Sequence, residues 1–414
     1  MSLTFHHTSL ANGLTVVGEH NPDAQSFAAG YFVKTGARDE SAEVAGVSHF
    51  LEHMMFKGTE RRSAEDINRE FDALGANYNA FTSDERTVYY GSVLPEHGAQ
   101  LLDLLSDMMR PALRQEDFDI EKNVILEEIA MYKDRPTFRV FEEAGPHYFA
   151  GHPLGNSVLG SSDSISVLER EQMLSYFSAR YAANNLMLTL SGNYDWQQVI
   201  DQVTSLTDHW QASPSQRQYP DFIPNPQQLR TQDPNLKRSH VAMFAPGVSM
   251  QDDKRYAASL LARCIGDSSC SRLYWALIDK GLADQADLSH DAADGLGAFI
   301  GYLSCAPERT QEVLGLYQDV LAEVEKNGLN QAEWTRAQRK FATGVTLGGE
   351  TPFRRLMSLG SSYQYLQQYR SVQTAVDTIM AASLADGMAL LEDKPFSQLF
   401  SFVLEPAEVP VSSQ

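Results

Sequence analysis

Five prolines crowd residues 211–235. They are Pro214, Pro220, Pro224, Pro226 and Pro234, set among glutamine, serine and aspartate. Proline has no N–H to give a helix interior or a central strand, and its ring clashes with the preceding turn. Neither element tolerates that density, so the stretch predicts an interdomain linker over 213–235. A first domain then occupies 1–212 and a second 236–414. A chain of 414 residues is long enough for two to three domains. On both sides the patterning runs strand, helix, strands, helix, which predicts a duplication carried by pattern more than by identity.

The first half is punctuated clearly. Asn12-Gly13 between two strand-like runs predicts a hairpin. A strand is expected over 26–34, a helix over 44–56, and a further helix opened by Ser63 with Asp66 and stopped at Gly75. Residues 76–82 and 87–93 suit two strands joined by a turn at Ser83-Asp84-Glu85. Helices are expected at 101–109, closed by Pro111, and at 115–133. A strand at 185–192 and a helix at 195–210 complete the half. The second half restarts with a strand at 240–244, a helix at 254–264, strands within 285–305 and a helix at 310–326.

The stretch His49-Phe50-Leu51-Glu52-His53 carries the chemistry. It reads His-x-x-Glu-His, the inverted order of the zincin motif. On a helix, residues four apart share a face, so His49 and His53 offer neighbouring nitrogens to a first-row metal, most often zinc. Glu52 beside them can take a proton from water without being a ligand. A catalytic zinc uses three protein ligands and keeps one position open, so the third donor has to come from elsewhere.

With that motif, the segment Glu121-Lys122-Asn123-Val124-Ile125-Leu126-Glu127-Glu128-Ile129-Ala130-Met131 resembles the M16 metallopeptidases, the pitrilysin, insulinase and mitochondrial processing peptidase family. The resemblance implies a glutamate ligand roughly 75 residues after the motif; Glu128 lies 75 positions after His53. Glu127 is its rival, but adjacent helical residues diverge by about 100°, so only one can face a metal. The resemblance points to Glu128. Glu121, seven residues earlier on the same face, matches the family's additional functional glutamate, with orientation of a ligand histidine as its physical role. Asn79-Ala80-Phe81-Thr82 resembles the family's strand edge beside the zinc. Asn79, Ala80 and Phe81 are therefore candidate substrate contacts, through main-chain addition of an extended peptide. His152-Pro153-Leu154-Gly155 with Val158-Leu159-Gly160 resembles another family landmark. A turn role for His152 and a surface role for His147 are preferred over metal ligation.

The resemblance spans nearly the whole chain and is most specific in its first 160 residues. It implies an α+β, LuxS/MPP-like metallohydrolase fold: two duplicated domains, each a mostly antiparallel sheet with helices packed on one face. The second domain is expected to be non-catalytic, since it has no His-x-x-Glu-His. The implied function is a zinc-dependent endopeptidase acting on unfolded peptides or oligopeptides enclosed between paired domains, with Zn2+ as cofactor and Glu52 as general base. The rival implied by the same family is a non-catalytic structural subunit of a larger complex, whose members typically have eroded metal motifs.

One departure stands out. Many M16 peptidases carry an arginine and a tyrosine, seven apart, in their second half, thought to bind the substrate carbonyl and the developing oxyanion. Near Leu277 and Ile278 the arginine is missing, and Asp284 stands at the tyrosine position. An aspartate adds a like charge to an oxyanion. Either a related partner chain supplies the pair, which is the favoured reading, or the chain works alone or as a homodimer with altered catalysis.

Composition narrows the rest. No run of 18 apolar residues exists to span a membrane, and Met1-Ser2-Leu3-Thr4-Phe5-His6-His7 resembles neither a secretory signal nor a transit segment, so a cytoplasmic location is expected. The three cysteines, Cys264, Cys270 and Cys305, form no metal spacing and fit a reducing compartment. The net charge of −21 makes nucleic acid an improbable partner. It fits a solubilising surface or, alternatively, an acidic chamber that draws in basic peptides.

Overall fold

The computed structural model describes residues 3–407, so Met1 and Ser2 of the N-terminal stretch lie outside it. The chain forms two compact units. The first gathers residues up to Ala130, Asn156–Gln218 and Leu347–Arg370; the second gathers Met131–Gly155, Tyr219–Thr346 and the residues from Ser371 onward. Each unit therefore takes one segment from the other half of the chain, where the sequence predicts contiguous domains split at 213–235.

The first unit holds β1 (Thr4–Ser9), β2 (Thr15–His20), β3 (Phe27–Val33), β4 (Asn77–Thr82), β5 (Thr87–Val93) and β6 (Leu186–Gly192), ordered β1-β2-β6-β3-β5-β4. The Asn12-Gly13 turn closes the β1–β2 hairpin, and Gly13 adopts φ +94°, as such a turn requires. All ladders are antiparallel except β2 with β6. Strands β3 and β6 are buried along their whole lengths, so both faces of the sheet need cover. The helix Gly98–Met108 covers one face, where Ser106 hydrogen-bonds Tyr31 at 2.8 Å. The helix Pro352–Leu366 covers the other, packing Leu356, Leu359 and Tyr363 on Ala28, Phe32, Val88 and Met187. Gly360 is required there, because a Cβ would stand 2.3 Å from the Phe32 ring. This second layer comes from 347–370, so helices lie on both faces where the sequence predicts one.

The second unit holds β7 (Gln228–Asp233), β8 (Ser239–Gly247), β9 (Gln285–Ala292), β10 (Gly297–Cys305) and β11 (Phe400–Pro406), ordered β7-β11-β8-β10-β9. Only β7 and β11 run parallel. Starting from β2, the first sheet repeats this order and these senses strand for strand, which is the duplication in physical form. Val140, Ala144 and Tyr148 of the helix Pro136–Tyr148 pack on Ala242, Phe244, Tyr302 and Phe402.

Strand β7 falls inside the stretch expected to be linker. It fits between Pro226 and Pro234 and lies at the sheet edge, where proline neighbours are tolerated. Residues 211–227 form no regular element, yet Arg217 is only 7 % exposed. Its guanidinium reaches Asp39 at 2.7 Å, in a buried group where Arg38 meets Glu85 at 2.5 Å and Tyr365 donates to Glu85 at 2.6 Å. Among the described residues, no helix is long and apolar enough to cross a membrane.

Candidate metal centre

The motif lies on a short helix, Val47–Met54. Gly46 precedes it with φ 91°, and a Cβ there would stand 2.6 Å from the Leu159 carbonyl oxygen. The turn at Val158-Leu159-Gly160 thus buttresses the helix start. Glu40, buried, accepts the N–H of Gly46 at 2.6 Å and that of Ser48 at 2.7 Å, satisfying donors that a helix start leaves open. Burial pushes the Glu40 carboxyl up to about 8 against the pull of these two N–H groups. Ser48 also bonds the Tyr176 hydroxyl, which in turn bonds Thr35, both at 2.7 Å.

His49 and His53 sit one turn apart with ring centroids separated by 4.8 Å. The longer helix Gln115–Lys133 buries Phe118, Glu121, Ile125 and Ile129, spaced three to four apart as one helical face requires. Phe118 stacks on Phe50 at 4.7 Å and fixes this helix against the motif helix. Glu128 then lies with Oε2 3.8 Å from His49 Nε2 and 3.5 Å from His53 Nε2. One donor atom from each of the three residues falls within 4.8 Å of the others. Glu127 is exposed and takes no part in this group.

The residues around this triad orient it. Glu121 Oε1 lies 2.8 Å from His53 Nδ1. With that carboxylate as acceptor, Nδ1 carries the proton and Nε2 keeps its lone pair for the centre. Lys57 Nζ holds the other Glu121 oxygen at 2.5 Å. Burial raises the Glu121 carboxyl, but His53 and Lys57 outweigh it and hold the group below the usual range. Burial pulls the His49 imidazole down to about 4, and His53 adds to the effect, so His49 is a neutral donor. Burial lowers the His53 imidazole, but Glu121, Glu128 and Glu52 outweigh it and raise the group, so His53 would shed a proton on taking a metal. Two imidazole nitrogens and one carboxylate would then form a donor set suited to a divalent first-row metal.

Glu52 is not one of the three grouped donors, but its carboxylate lies close enough to interact with the charges of His53 and Glu128. Its Oε2 accepts the Thr82 hydroxyl at 2.6 Å. Burial raises its carboxyl, partly opposed by Thr82 and His53. Thr82 ends β4, an edge strand paired only with β5. Of the three candidate contacts on β4, Asn79 is exposed and its Oδ1 covers the Ala80 N–H at 2.9 Å. Ala80 is buried, and Phe81 packs into the sheet core with Phe32 and Val88. Sequence reasoning missed Thr82, Lys57 and Glu40. Lys57 had only its nearness to the motif, since it lies just past the end of the motif helix. Glu40 had none, because its partners are backbone N–H groups across a loop.

Other residues singled out in the sequence lie elsewhere. The His147 ring stacks on Phe402, and His152 Nδ1 accepts the Leu154 N–H at 3.2 Å within a turn. Leu277 is fully buried, Ile278 packs against the same core, and Asp284 ion-pairs with Arg238. Among the described residues all three cysteines are free thiols.

Comparison with known proteins agrees along both halves. Residues 15–162 match the family described as insulinase (peptidase family M16), and residues 168–341 match the peptidase M16 inactive domain. An uncharacterized zinc protease of Mycobacterium tuberculosis (strain H37Rv) is 32 % identical over 378 residues, 90 % of this chain and 86 % of that protein. The uncharacterized zinc protease YmxG of Bacillus subtilis is 28 % identical over 378 residues, 90 % of this chain and 91 % of its own. Among solved structures, a protease from Helicobacter pylori superposes with a TM-score of 0.88 at 19 % identity, covering 98 % of this chain and all of that one. A peptidase M16 inactive domain from Pseudomonas fluorescens gives 0.88 at 19 % identity, covering 98 % of each. Matched from its first sheet through most of its second, the chain belongs to the insulinase family, peptidase family M16.

Proposed function

We propose that this protein is a zinc-dependent endopeptidase of unfolded peptides, with His49, His53 and Glu128 as the metal ligands. The observation that carries this reading is the approach of those three donors to within 4.8 Å of one another, with the Glu52 carboxylate beside them. Zinc held there supplies Lewis acidity toward a scissile carbonyl and toward water. Glu52 takes the proton from the attacking water and returns it to the leaving amine; its raised affinity for a proton suits both steps. Thr82 fixes the carboxylate through one oxygen and leaves the other for the proton. Glu121 holds His53 with Nε2 toward the ligand set, and Lys57 holds Glu121. The peptide adds along the open edge of β4, displacing the Asn79 side chain from the Ala80 N–H. Phe81 contributes its backbone rather than its ring.

The chain works as a dimer, preferably with a related chain that brings the arginine and tyrosine absent near Ile278 and at Asp284; a homodimer is the alternative. The net charge of −21 favours basic peptides at long range. A reducing, cytoplasmic setting fits its free thiols. The structural-subunit reading loses support from an intact ligand set.

The test is metal analysis and peptide cleavage by the purified protein, alone and with related chains from the same source, beside Glu52→Gln. Stoichiometric zinc in both proteins with cleavage only by the wild type is expected. Cleavage by Glu52→Gln at the wild-type rate would remove Glu52 as the base. A metal-free, inert protein in every combination would favour the structural role.

A further inference from the structure

A buried carboxyl without a cation holds the start of the motif helix. Glu40 is 7 % exposed. Asp39, beside it in the chain, meets Arg217 at 2.7 Å, but Glu40 meets no cation among the described residues. Its partners are the N–H groups of Gly46 and Ser48, one on each oxygen. Burying a carboxyl costs free energy that only well-placed donors offset. Helix starts are usually capped by a serine, threonine, aspartate or asparagine at the boundary itself. That solution is closed here, because the boundary residue is Gly46 at φ 91° and a Cβ would strike the Leu159 carbonyl. The cap comes instead from six residues upstream.

A boundary cap moves with its helix, whereas Glu40 is fastened elsewhere. Its own N–H donates to the Ala37 carbonyl at 3.2 Å, and Asn156 Nδ2 holds that carbonyl at 2.9 Å. The N–H groups of Ala37 and Arg38 donate to the Ser83 and Asp84 carbonyls at 3.3 and 2.8 Å. Ser83 directly follows Thr82, so the loop that carries Glu40 is bonded to the end of the β4 edge. A second tie runs from Ser48 Oγ through the Tyr176 hydroxyl to Thr35, just past β3. The motif helix has eight residues, too few to hold a shape unaided. His49 directly follows Ser48, and Glu52 comes one turn later.

We propose that Glu40 is a positioning residue of the metal centre: by gripping the Gly46 and Ser48 N–H groups from a loop bonded to the β4–β5 turn, it sets the motif helix, and with it His49 and Glu52, at a fixed place relative to the β4 edge. This rests on the reading of His49, His53 and Glu128 as ligands. Thr82 joins Glu52 to the same edge from the other side, so the helix is located at two points. Small misplacements of reacting groups carry large rate losses, about 100-fold for 1 Å.

The experiment compares the whole protein with Glu40→Gln, an isosteric change whose amide offers one acceptor to two N–H donors. Zinc affinity is read by competition with a chelator, geometry by the visible absorption of the Co2+-loaded protein, and cleavage by steady-state kinetics. A loss of about 10- to 100-fold in zinc affinity is expected, with a shifted Co2+ band and a comparable fall in kcat at nearly unchanged KM. A merely structural role would lower the denaturant midpoint and leave the Co2+ band of the folded protein alone. Val241→Ala, a core truncation on β8, is the reference for that behaviour. If Glu40→Gln does not fold, Glu40→Asp carries the same expectation, since its carboxyl falls one methylene short of the two N–H groups. Wild-type zinc affinity and Co2+ band in folded Glu40→Gln, or in Glu40→Asp where that variant is used, would overturn the proposal. A wild-type protein that binds no zinc would overturn it together with the ligand reading, and that outcome is seen before any variant is made.

Discussion

The Thr82 hydroxyl donates to Glu52 across 2.6 Å, so the edge strand and the motif helix meet at one carboxylate. Thr82→Val keeps the side-chain shape and removes the donor. A hydrogen bond to a charged group contributes about 1.5–3 kcal/mol, so kcat should fall roughly tenfold to a hundredfold. Zinc content should not change, because Thr82 is not one of the three proposed ligands. Steady-state peptide cleavage beside metal analysis measures both, and Thr82→Ser should restore most of the rate.

Glu121 acts one step further out. Its carboxylate sits between His53 Nδ1 and Lys57 Nζ, at 2.8 and 2.5 Å. Glu121→Gln loses the charge that holds the His53 tautomer and turns Lys57 loose beside the centre. Partners of ligand histidines typically contribute 10- to 100-fold in metal affinity. Competition with a chelator should show a loss of about that size, with the fold unchanged by circular dichroism.

The strands and helices around this centre were legible because their signals are local: Asn12-Gly13 for a hairpin, Ser63 and Asp66 for a capped helix start, Gly75 for its end. The approach of His49, His53 and Glu128 was legible from helical spacing joined to the family resemblance. What was hidden depends on contacts far apart in sequence. Helical periodicity marks Leu356, Leu359 and Tyr363 as one face but does not say that the face covers β3 and β6, nor that Arg355 of the same helix pairs with Glu19 of β2, 336 positions earlier. Likewise Val140, Ala144 and Tyr148 carry no mark that assigns them to the second sheet. Phe81 alternates as a strand residue should, yet only the far layer shows that its ring belongs to the core.

Arg217 illustrates the same limit and can be tested. In sequence it lies in a proline-rich stretch with no helical or strand pattern. In the fold it neutralises Asp39 and reaches the Glu85 carbonyl in a site with almost no exposure. Arg217→Met leaves a buried carboxylate short of its partner, and breaking such a pair costs about 3–5 kcal/mol. Denaturant unfolding should show that loss. A change within ~0.5 kcal/mol, the usual range for surface positions, would mean that Asp39 finds another cation.

His290, on β9, gives the fold a pH dependence separate from the metal centre. Its Nε2–H donates to the Val248 carbonyl at 3.0 Å, and its buried Nδ1 has no partner among the described residues. Burial therefore pulls the imidazole down to about 4, although Val248 and Asp252 act upward. An unfolded histidine takes its proton near pH 6.5. Between about 6.5 and 4 the unfolded chain binds the extra proton and the folded one does not, so stability falls as pH falls through that window. The full shift corresponds to roughly 3 kcal/mol. His290→Gln keeps a donor for Val248 and cannot titrate. Denaturant midpoints of the two proteins at stepped pH from 7.5 to 4.5 should converge toward acid, or cross, as the wild type alone loses this contribution. Parallel curves would show that the folded protein protonates His290 as readily as the unfolded chain does.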